Sequence, residues 1–422
     1  MSNLTLFPHQ EDVLKNTEDK NRVAYYLDMG LGKTYVGAEK MIRLKASVNL
    51  LICQKSKVED WKNHFEDHYS LPVFDLTKKK EFQRFFELSE LTHGIIGIIN
   101  YELAFRRKDL LNLKNLTLML DESSMIQNET AKRSKFILKM NPDNVILLSG
   151  TPTAGKYENL WSQLRLLGWN ISKDLYWKHY IETEWMESDG FFRKVVVGYK
   201  NVDRLKMKLN QYGAVFMKSG EVIELPEQIF TNVMVGTTKE YRKFMRDRLV
   251  TIEDVELVGD TALTTRLYAR MLCGQYNREK LDAFKDLVES TEDRLVVFYN
   301  FNDELDKLLT LIGDKPFSIV NGSTKDLTAY EDESNSVTFV QYQAGAMGIN
   351  LQKATKAIYF TLPQSSELFE QSHKRIHRIG QTNRCFYYYL MCRGSVEEHI
   401  LENLKMRRDY TDELFKAYQE QS

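Results

Sequence analysis

The feature that most narrows the fold is an alternation of short apolar runs with longer stretches of helical spacing, carried out twice along the chain. In the first half the runs at 48–53, 95–100, 116–121 and 145–149 are rich in Ile, Leu and Val and apolar on both faces. Strands covered on both sides read this way, and such strands belong to parallel sheets. The stretches between them, such as 57–67 and 80–91, have helical periodicity. The pattern predicts a parallel sheet covered by helices. The second half repeats it, with runs at 295–299, 317–320, 337–342, 356–361 and 386–391. The expected class is therefore α/β, with two lobes at 1–225 and 226–422 and a mostly helical region over about 170–288. Asp189-Gly190 followed by 191–199 predicts a hairpin, and Leu225-Pro226 marks where the chain leaves the first lobe. The stretch 395–418 is predicted as a helix packing back on a lobe, with Ser395 as N-cap and Glu398 completing a capping box.

A chain of 422 residues suits two or three domains. Apolar residues at 43% and charged residues at 28% allow large cores without disulfide or metal staples. Lys+Arg is 58 and Asp+Glu 59, a net charge of −1, so a nucleic-acid surface has to be a local groove rather than a global field. The run Lys78-Lys79-Lys80 reads as a solvated face. Cys53, Cys273, Cys385 and Cys392 form no Cys-x-x-Cys pair, which points to reduced, buried thiols rather than zinc. The N-terminus has no signal pattern, and no apolar stretch approaches the ~20 residues needed to span a bilayer. No membrane partner is expected, and the expected location is the cytoplasm of a prokaryote or of a virus's host.

Asp28-Met29-Gly30-Leu31-Gly32-Lys33-Thr34 follows an apolar run at 23–27 and opens a helical stretch at 35–44. Strand, glycine-rich loop and helix in that order make a phosphate-binding loop. The glycines let backbone N–H groups approach phosphate, and the helix N-terminus adds partial positive charge. Lys33 would neutralise the β- and γ-phosphates of ATP, and Thr34 would hold Mg²⁺. Leu27 occupies the loop's first position, where glycine is usual. The run 116–120 ends in Asp121-Glu122. At the C-terminal edge of a parallel sheet Asp121 can hold the Mg²⁺ shell and Glu122 can be general base toward the attacking water. A phosphoryl transition state also needs positive charge on its far side. The stretch 371–381 supplies it, with Arg375 and Arg378 three apart and so on one face if helical. Alone, that stretch reads equally well as a solvated basic helix.

Together these motifs resemble the superfamily-two helicases and, within them, the Swi/Snf-type DNA translocases, over nearly the whole chain. Residues 6–10 resemble the adenine-reading motif with Gln10 as the reader, and 28–34 the first helicase motif. Residues 51–56 with Trp61 resemble motif Ia, and Ile99-Asn100-Tyr101-Glu102 motif Ib. Residues 121–128 are similar to motif II, and Leu-Ser-Gly-Thr-Pro at 148–152 to motif III. Residues 216–226 resemble the basic stretch that runs into Leu-Pro between the lobes. Residues 296–301 resemble motif IV, 343–351 motif V, and 371–381 motif VI with its Arg-Ile-Gly-Gln ending; 395–400 match the segment that usually follows.

The resemblance implies two RecA-like lobes, ATP bound in the cleft between them by 28–34, Gln10 and Gly348, and hydrolysis by Lys33, Glu122, Arg375 and Arg378, with Arg378 as arginine finger. Ser149, Thr151 and Gln371 would couple nucleotide state to motion. DNA, duplex or forked, would be held by phosphate contacts from Lys55, Ser56, Tyr101, Asn321, Gly322, Gln343, Ala344 and Gly345. The sequence departs from the family at Ser124, where histidine is usual and helps couple ATP state to the lobe, and at Gln54, where proline is usual. No accessory module is visible. The chain reads as a bare, monomeric, motor-only member, with replication or recombination proteins as the partner class. A strand-separating DNA or RNA helicase is the nearest alternative. A nucleic-acid clamp or scaffold with a vestigial ATPase is the alternative of another class, and the intact Lys33, Glu122 and Arg378 speak against it.

Overall fold

The computed structural model describes residues 4–188, 191–222, 224–345 and 349–415. The chain divides into two units, 1–222 with 409–422, and 223–408.

The first unit is built on β1 (Arg22–Leu27), β2 (Val48–Cys53), β3 (Val73–Asp75), β4 (Ile95–Asn100), β5 (Leu116–Asp121) and β6 (Asn144–Leu148). Then come a two-stranded antiparallel hairpin, β7 (Ile181–Ser188) and β8 (Phe191–Tyr199), and the short β9 (Ala214–Met217). The main sheet has the order β3-β4-β2-β5-β6-β1-β9, parallel throughout. Every residue of β2 and β4 is buried, which is why both read as unbroken apolar runs. The helix Lys33–Arg43 follows β1 and lies close on the sheet. A Cβ at its Gly37 would come within 2.7 Å of Leu148, so glycine sets how near this helix approaches β6.

The second unit contains β10 (Gln228–Val235), a small antiparallel hairpin of β11 (Leu249–Ile252) and β12 (Val255–Val258), then β13 (Leu295–Tyr299), β14 (Phe317–Val320), β15 (Lys325–Asp326), β16 (Val337–Gln341), β17 (Lys356–Tyr359) and β18 (Cys385–Cys392). Its sheet order is β10-β18-β17-β13-β16-β14-β15, parallel except for β15. Two apolar layers cover its faces, one around Tyr359 and Tyr387, the other around Phe284 and Phe339. Two parallel sheets flanked by helices make this an α/β protein of two lobes.

Every strand expected from an apolar run is present within two residues of its expected ends. The region over 170–288 is more strand-bearing than its expected helical character. Besides helices and the β7–β8 hairpin it supplies β9 to the edge of the first sheet and β10 to the edge of the second. Edge strands are covered less completely, so Gln228–Val235 is only half-buried and gives no continuous apolar run. The two arms of the expected hairpin are β7 and β8, while Asp189 and Gly190 lie outside the described residues.

The C-terminal helix Val396–Phe415 begins in the second unit, where Ile400, Leu401 and Leu404 are core residues. Its last turns belong to the first unit's core through Leu414 and Phe415. The expected boundary at 225/226 assigned the whole helix to the second lobe; the observed one falls at 222/223 and again at 408/409. The capping box at Ser395 is displaced by one residue. Ser395 Oγ accepts from Glu397 N at 3.1 Å, and the Glu398 carboxylate accepts from Gly394 N at 2.8 Å. All four cysteines are free and buried. Among the described residues no helix is long and apolar enough to cross a membrane.

Candidate active site at the strand ends of the first unit

β1, β6 and β5 are neighbours and parallel, so their C-terminal ends share one edge of the sheet. That edge is where open α/β sheets place ligands. From β1 the chain enters 28–34, from β6 it enters 149–152, and β5 ends on Asp121.

Gly30 and Gly32 have φ of +88° and +76°. A Cβ at Gly32 would also fall 2.1 Å from Gln10 Nε2. The positive φ is what requires glycine there, and the absent side chain leaves room for the Gln10 amide. Lys33 Nζ donates to Leu27 O at 2.9 Å and Asp28 O at 3.4 Å, so the ammonium lies curled over its own loop. Thr34 sits half-buried in the first helical turn. Asp28 fastens the loop at both sides: Oδ1 accepts from Met29 N at 2.9 Å, and Oδ2 accepts from Ser219 N at 3.3 Å and Ser219 Oγ at 2.8 Å. Leu31 is fully buried and anchors the turn.

Gln10 is the third residue of the helix Pro8–Lys15 and is buried. Its Nε2 donates to Leu31 O at 3.1 Å, and its Oε1 accepts from Phe7 N at 3.0 Å. Both ends of the amide are thus engaged within the chain. One caps the residue's own helix and the other holds the phosphate loop.

Asp121 Oδ2 accepts from Trp61 Nε1 at 2.8 Å. Burial pushes the Asp121 carboxyl above the ordinary range, and the Trp61 bond and the charges of Lys33 and Lys57 pull it partly back. Glu122 has φ +52°, in the left-handed region. Ser149 Oγ donates to Glu122 Oε2 at 3.3 Å, and Thr151 N donates to Ser149 Oγ at 3.1 Å. A second link runs through Gln163. Its Oε1 accepts from Ser123 Oγ at 2.7 Å and from Tyr26 OH at 2.9 Å, while its Nε2 donates to Pro152 O at 2.8 Å. The carboxylate segment and 149–152 are tied together twice. Ser124 is buried in the short turn Ser123–Ile126.

Tyr101, expected to touch DNA, is fully buried. Its OH donates to Asp121 O at 2.9 Å and Glu122 O at 3.3 Å. It supports the carboxylate pair from behind, because β4 delivers it beneath the end of β5. Lys55 and Ser56 are exposed on the turn Lys55–Lys57 after β2. Lys78 is exposed and pairs with Asp75 and Glu81, as a solvated face should.

In the second unit the helix Ser366–His373 ends before both arginines, so Arg375 and Arg378 share no helix face. Beyond them Gln381 Nε2 donates to Gln352 O at 2.9 Å, Ala354 O at 3.1 Å and Ile376 O at 3.2 Å and ties the segment after the helix to 352–354. Arg375 is buried, with Nη1 donating to Ile349 O at 3.3 Å. Arg378 is half-buried, and burial lowers its guanidinium from the usual range. Gln371 is buried and donates to Glu367 Oε1 at 3.4 Å. His373 is driven down to about 3 by burial and is neutral, with Nδ1 donating to Phe369 O and Nε2 accepting from Tyr389 OH. Asn321 folds a turn, its Oδ1 accepting from Ser323 N and Thr324 N, and Gly322 is exposed beside it. Gln343 is exposed, but Ala344 is a core residue and offers no side chain to a ligand. Gly345 ends the short helix Tyr342–Gly345, and Gly348 lies outside the described residues.

Trp61, Gln163 and Ser219 hold the site without having been expected in it. Trp61 carried a signal, since Val58, Trp61 and Phe65 form the buried face of one helix. Ser219 carried none, because its partner is 191 residues away in sequence.

A family model described as SNF2-related domain matches residues 26–280, more than half of the chain. One described as helicase conserved C-terminal domain matches 279–380. The chain is similar to SWI/SNF-related matrix-associated actin-dependent regulator of chromatin subfamily A member 1 of Mus musculus, at 22% identity over 90% of this chain and 40% of that protein. It is similar at 22% to an uncharacterized ATP-dependent helicase of Mycoplasma genitalium, over 89% and 38%. A third similarity, 24% over 90% and 38%, is to an ISWI chromatin-remodeling complex ATPase of Saccharomyces cerevisiae. The chain thus spans about two fifths of the length of these curated relatives. Among solved structures, the Sulfolobus solfataricus SWI2/SNF2 ATPase core in complex with dsDNA aligns at 19% identity and a TM-score of 0.46, covering 97% of this chain and 93% of that one.

Proposed function

Since the chain belongs to the SNF2-related family of helicase-like ATPases, we propose that it hydrolyses ATP to move along DNA and that it tracks the duplex without separating its strands. The observation that carries the ATPase reading is the meeting of the phosphate loop, Asp121-Glu122 and Ser149 at three adjacent strand ends, with Ser149 bonded to Glu122. Relatives described as ATP-dependent helicase and as chromatin-remodeling ATPase support the wider reading.

In this reading the 28–34 backbone holds the phosphates and Lys33 exchanges its two carbonyl partners for phosphate oxygens. The hard oxygen donors of Thr34 and Asp121 suit Mg²⁺, and Trp61, by occupying Asp121 Oδ2, orients the carboxylate toward it. Bound there, Mg²⁺ would supply charge neutralisation at the phosphates. Glu122, held by Ser149, takes the proton from the attacking water. Arg378 supplies the further positive charge that turnover requires. Gln10 selects adenine by turning its amide from Leu31 to the base edge, so base recognition and release of the loop are one event. Lys55, Ser56, Asn321, Gly322 and Gln343 contact DNA phosphates, in a grip blind to sequence and weakened by salt.

The duplex preference rests on the 343–351 and 378–381 sequences, which resemble the duplex-tracking branch. Such a motor does not work against base stacking, roughly 1.4 kcal/mol per step. The test is displacement of a third strand from a triplex against unwinding of a long blunt duplex, at the same ATP and salt. Triplex displacement alone is expected. Duplex unwinding alone would make the chain a strand-separating helicase, and ATPase stimulated only by RNA would remove DNA as the track.

A further inference from the structure

The β7–β8 hairpin stands apart from the main sheet and carries two large exposed aromatics, Trp185 at 69% and Phe192 at 67% exposure. In the ladder Trp185 pairs with Lys194 and Thr183 with Val196. Alternation along a strand then puts Thr183, Trp185 and Glu187 on one face with their partners Val196, Lys194 and Phe192. At the hairpin's base that face meets a groove of about 730 Å³, lined by Lys173, Trp177, Lys178, Lys194 and Lys200, with Asp174 and Glu182 as its acids. Lys173 is paired with Glu129. Lys178, Lys194 and Lys200 make no ion pair among the described residues. The Trp177 ring lines the groove.

We propose that this face of the hairpin and the groove at its base hold an unpaired nucleic-acid strand, such as one arm of a forked DNA. Trp185 and Phe192 offer flat apolar faces for stacking on bases, which any base can use. Lys178, Lys194 and Lys200 face the phosphates, and the Trp177 ring forms part of the groove wall. Charge in the groove decides the occupant: Lys178, Lys194 and Lys200 outnumber Asp174 and Glu182 there, with Glu187 set apart beside Phe192 toward the hairpin's tip, and aromatic and cationic residues together fit a polyanion with π-faces. The inference rests on the reading of the chain as a DNA motor, and it adds a single-strand site to a duplex-tracking machine.

The test compares wild type, Trp185→Ala/Phe192→Ala, Trp185→Phe and Lys194→Glu by fluorescence anisotropy on oligothymidylate and on a blunt duplex, with duplex-stimulated ATPase measured in parallel. Both aromatics are exposed, so the substitutions leave the core untouched. The alanine pair should lose on the order of tenfold or more in oligothymidylate affinity, while Trp185→Phe stays within a few-fold. Lys194→Glu should flatten the salt dependence of oligothymidylate binding. Duplex affinity and duplex-stimulated ATPase should not change. Equal oligothymidylate binding by wild type and the alanine pair overturns the proposal, as does absence of binding by wild type or an equal loss on duplex. If wild type binds oligothymidylate as expected but duplex never stimulates its ATPase, the translocase reading fails while the hairpin site stands.

Discussion

β1 and β13 end in different ways, and the contrast separates the two units. Each is a buried parallel strand that runs through a short loop into a helix. After β1, Gly30 and Gly32 turn the backbone at positive φ and present the start of the helix Lys33–Arg43 to an outside anion. After β13, the first amides are taken by the chain's own Glu304, whose fully buried carboxylate accepts from Asn300 N at 2.9 Å, Phe301 N at 3.1 Å and Thr361 Oγ1 at 2.9 Å. Nearby, Lys280 and Glu397 form an ion pair at 2.6 Å with essentially no exposure. The first unit leaves its helix start open to a substrate; the second closes the equivalent feature with an internal anion. One architecture thus carries, in the proposed function, a nucleotide site in one copy and a frame for two arginines in the other, since function lies in the site and not in the fold.

If that division holds, binding belongs to the first unit and the second contributes to turnover. Arg378→Ala should lower ATP turnover by on the order of a thousandfold or more, with nucleotide affinity kept within a few-fold. Binding and single-turnover assays separate the two, and joint loss would break the division. Glu122→Gln should bind ATP and lose about a hundredfold to ten-thousandfold in turnover, whereas Lys33→Ala should weaken binding itself. Full turnover by Glu122→Gln would remove the base from β5.

Lys280→Met strands the Glu397 carboxylate and should destabilise the second unit by about 3–5 kcal/mol, as breaking buried pairs does. Replacing both partners with apolar residues should recover most of that in denaturant unfolding, and the first unit's nucleotide affinity should be unmoved. Trp61→Phe should weaken Mg²⁺ binding by about tenfold, because a hydrogen bond to a charged group is lost. Since the bond lowers the Asp121 pKa, its loss lets the carboxyl hold its proton to higher pH. The acidic limb of the turnover profile should then move upward in pH; an unmoved limb would detach Trp61 from the metal site. Smallest is Gln10→Ala, which should narrow ATP-over-GTP discrimination by a few-fold to tenfold, with a looser phosphate loop as its companion effect.

The interior strands of both sheets were legible because burial on both faces writes an unbroken apolar run, as in β2 and β4. The edge strands β9 and β10 were not, since half-covered strands mix their signal. The glycine turn at 28–34 and the place of Asp121-Glu122 at a strand end were legible because each is written in a few neighbouring residues. What holds them was not. Gln163 and Ser219 act through hydrogen bonds to residues far away in sequence, and nothing local marks them; Tyr101 was marked, but as a DNA contact rather than as a support of Asp121 and Glu122. Arg375 and Arg378 were read as sharing a face if helical, and spacing alone cannot reveal that the helix ends at His373.

The path of the C-terminal helix bears on how the protein is made. Leu414 and Phe415 are core residues of the first unit, and Phe415 packs on Phe216 with ring centroids 5.3 Å apart. Lys206 bonds Glu413, and Tyr157 OH donates to Tyr410 O. A ribosome delivering the chain in order produces all of the second unit before it delivers these residues. The first unit therefore waits, with an apolar face uncovered, until the second has been synthesised, and the second behaves during biogenesis as a domain inserted into the first. An early stop after 222 would release not half a machine but a fragment with a gap in its core, the kind of species that aggregates or occupies chaperones.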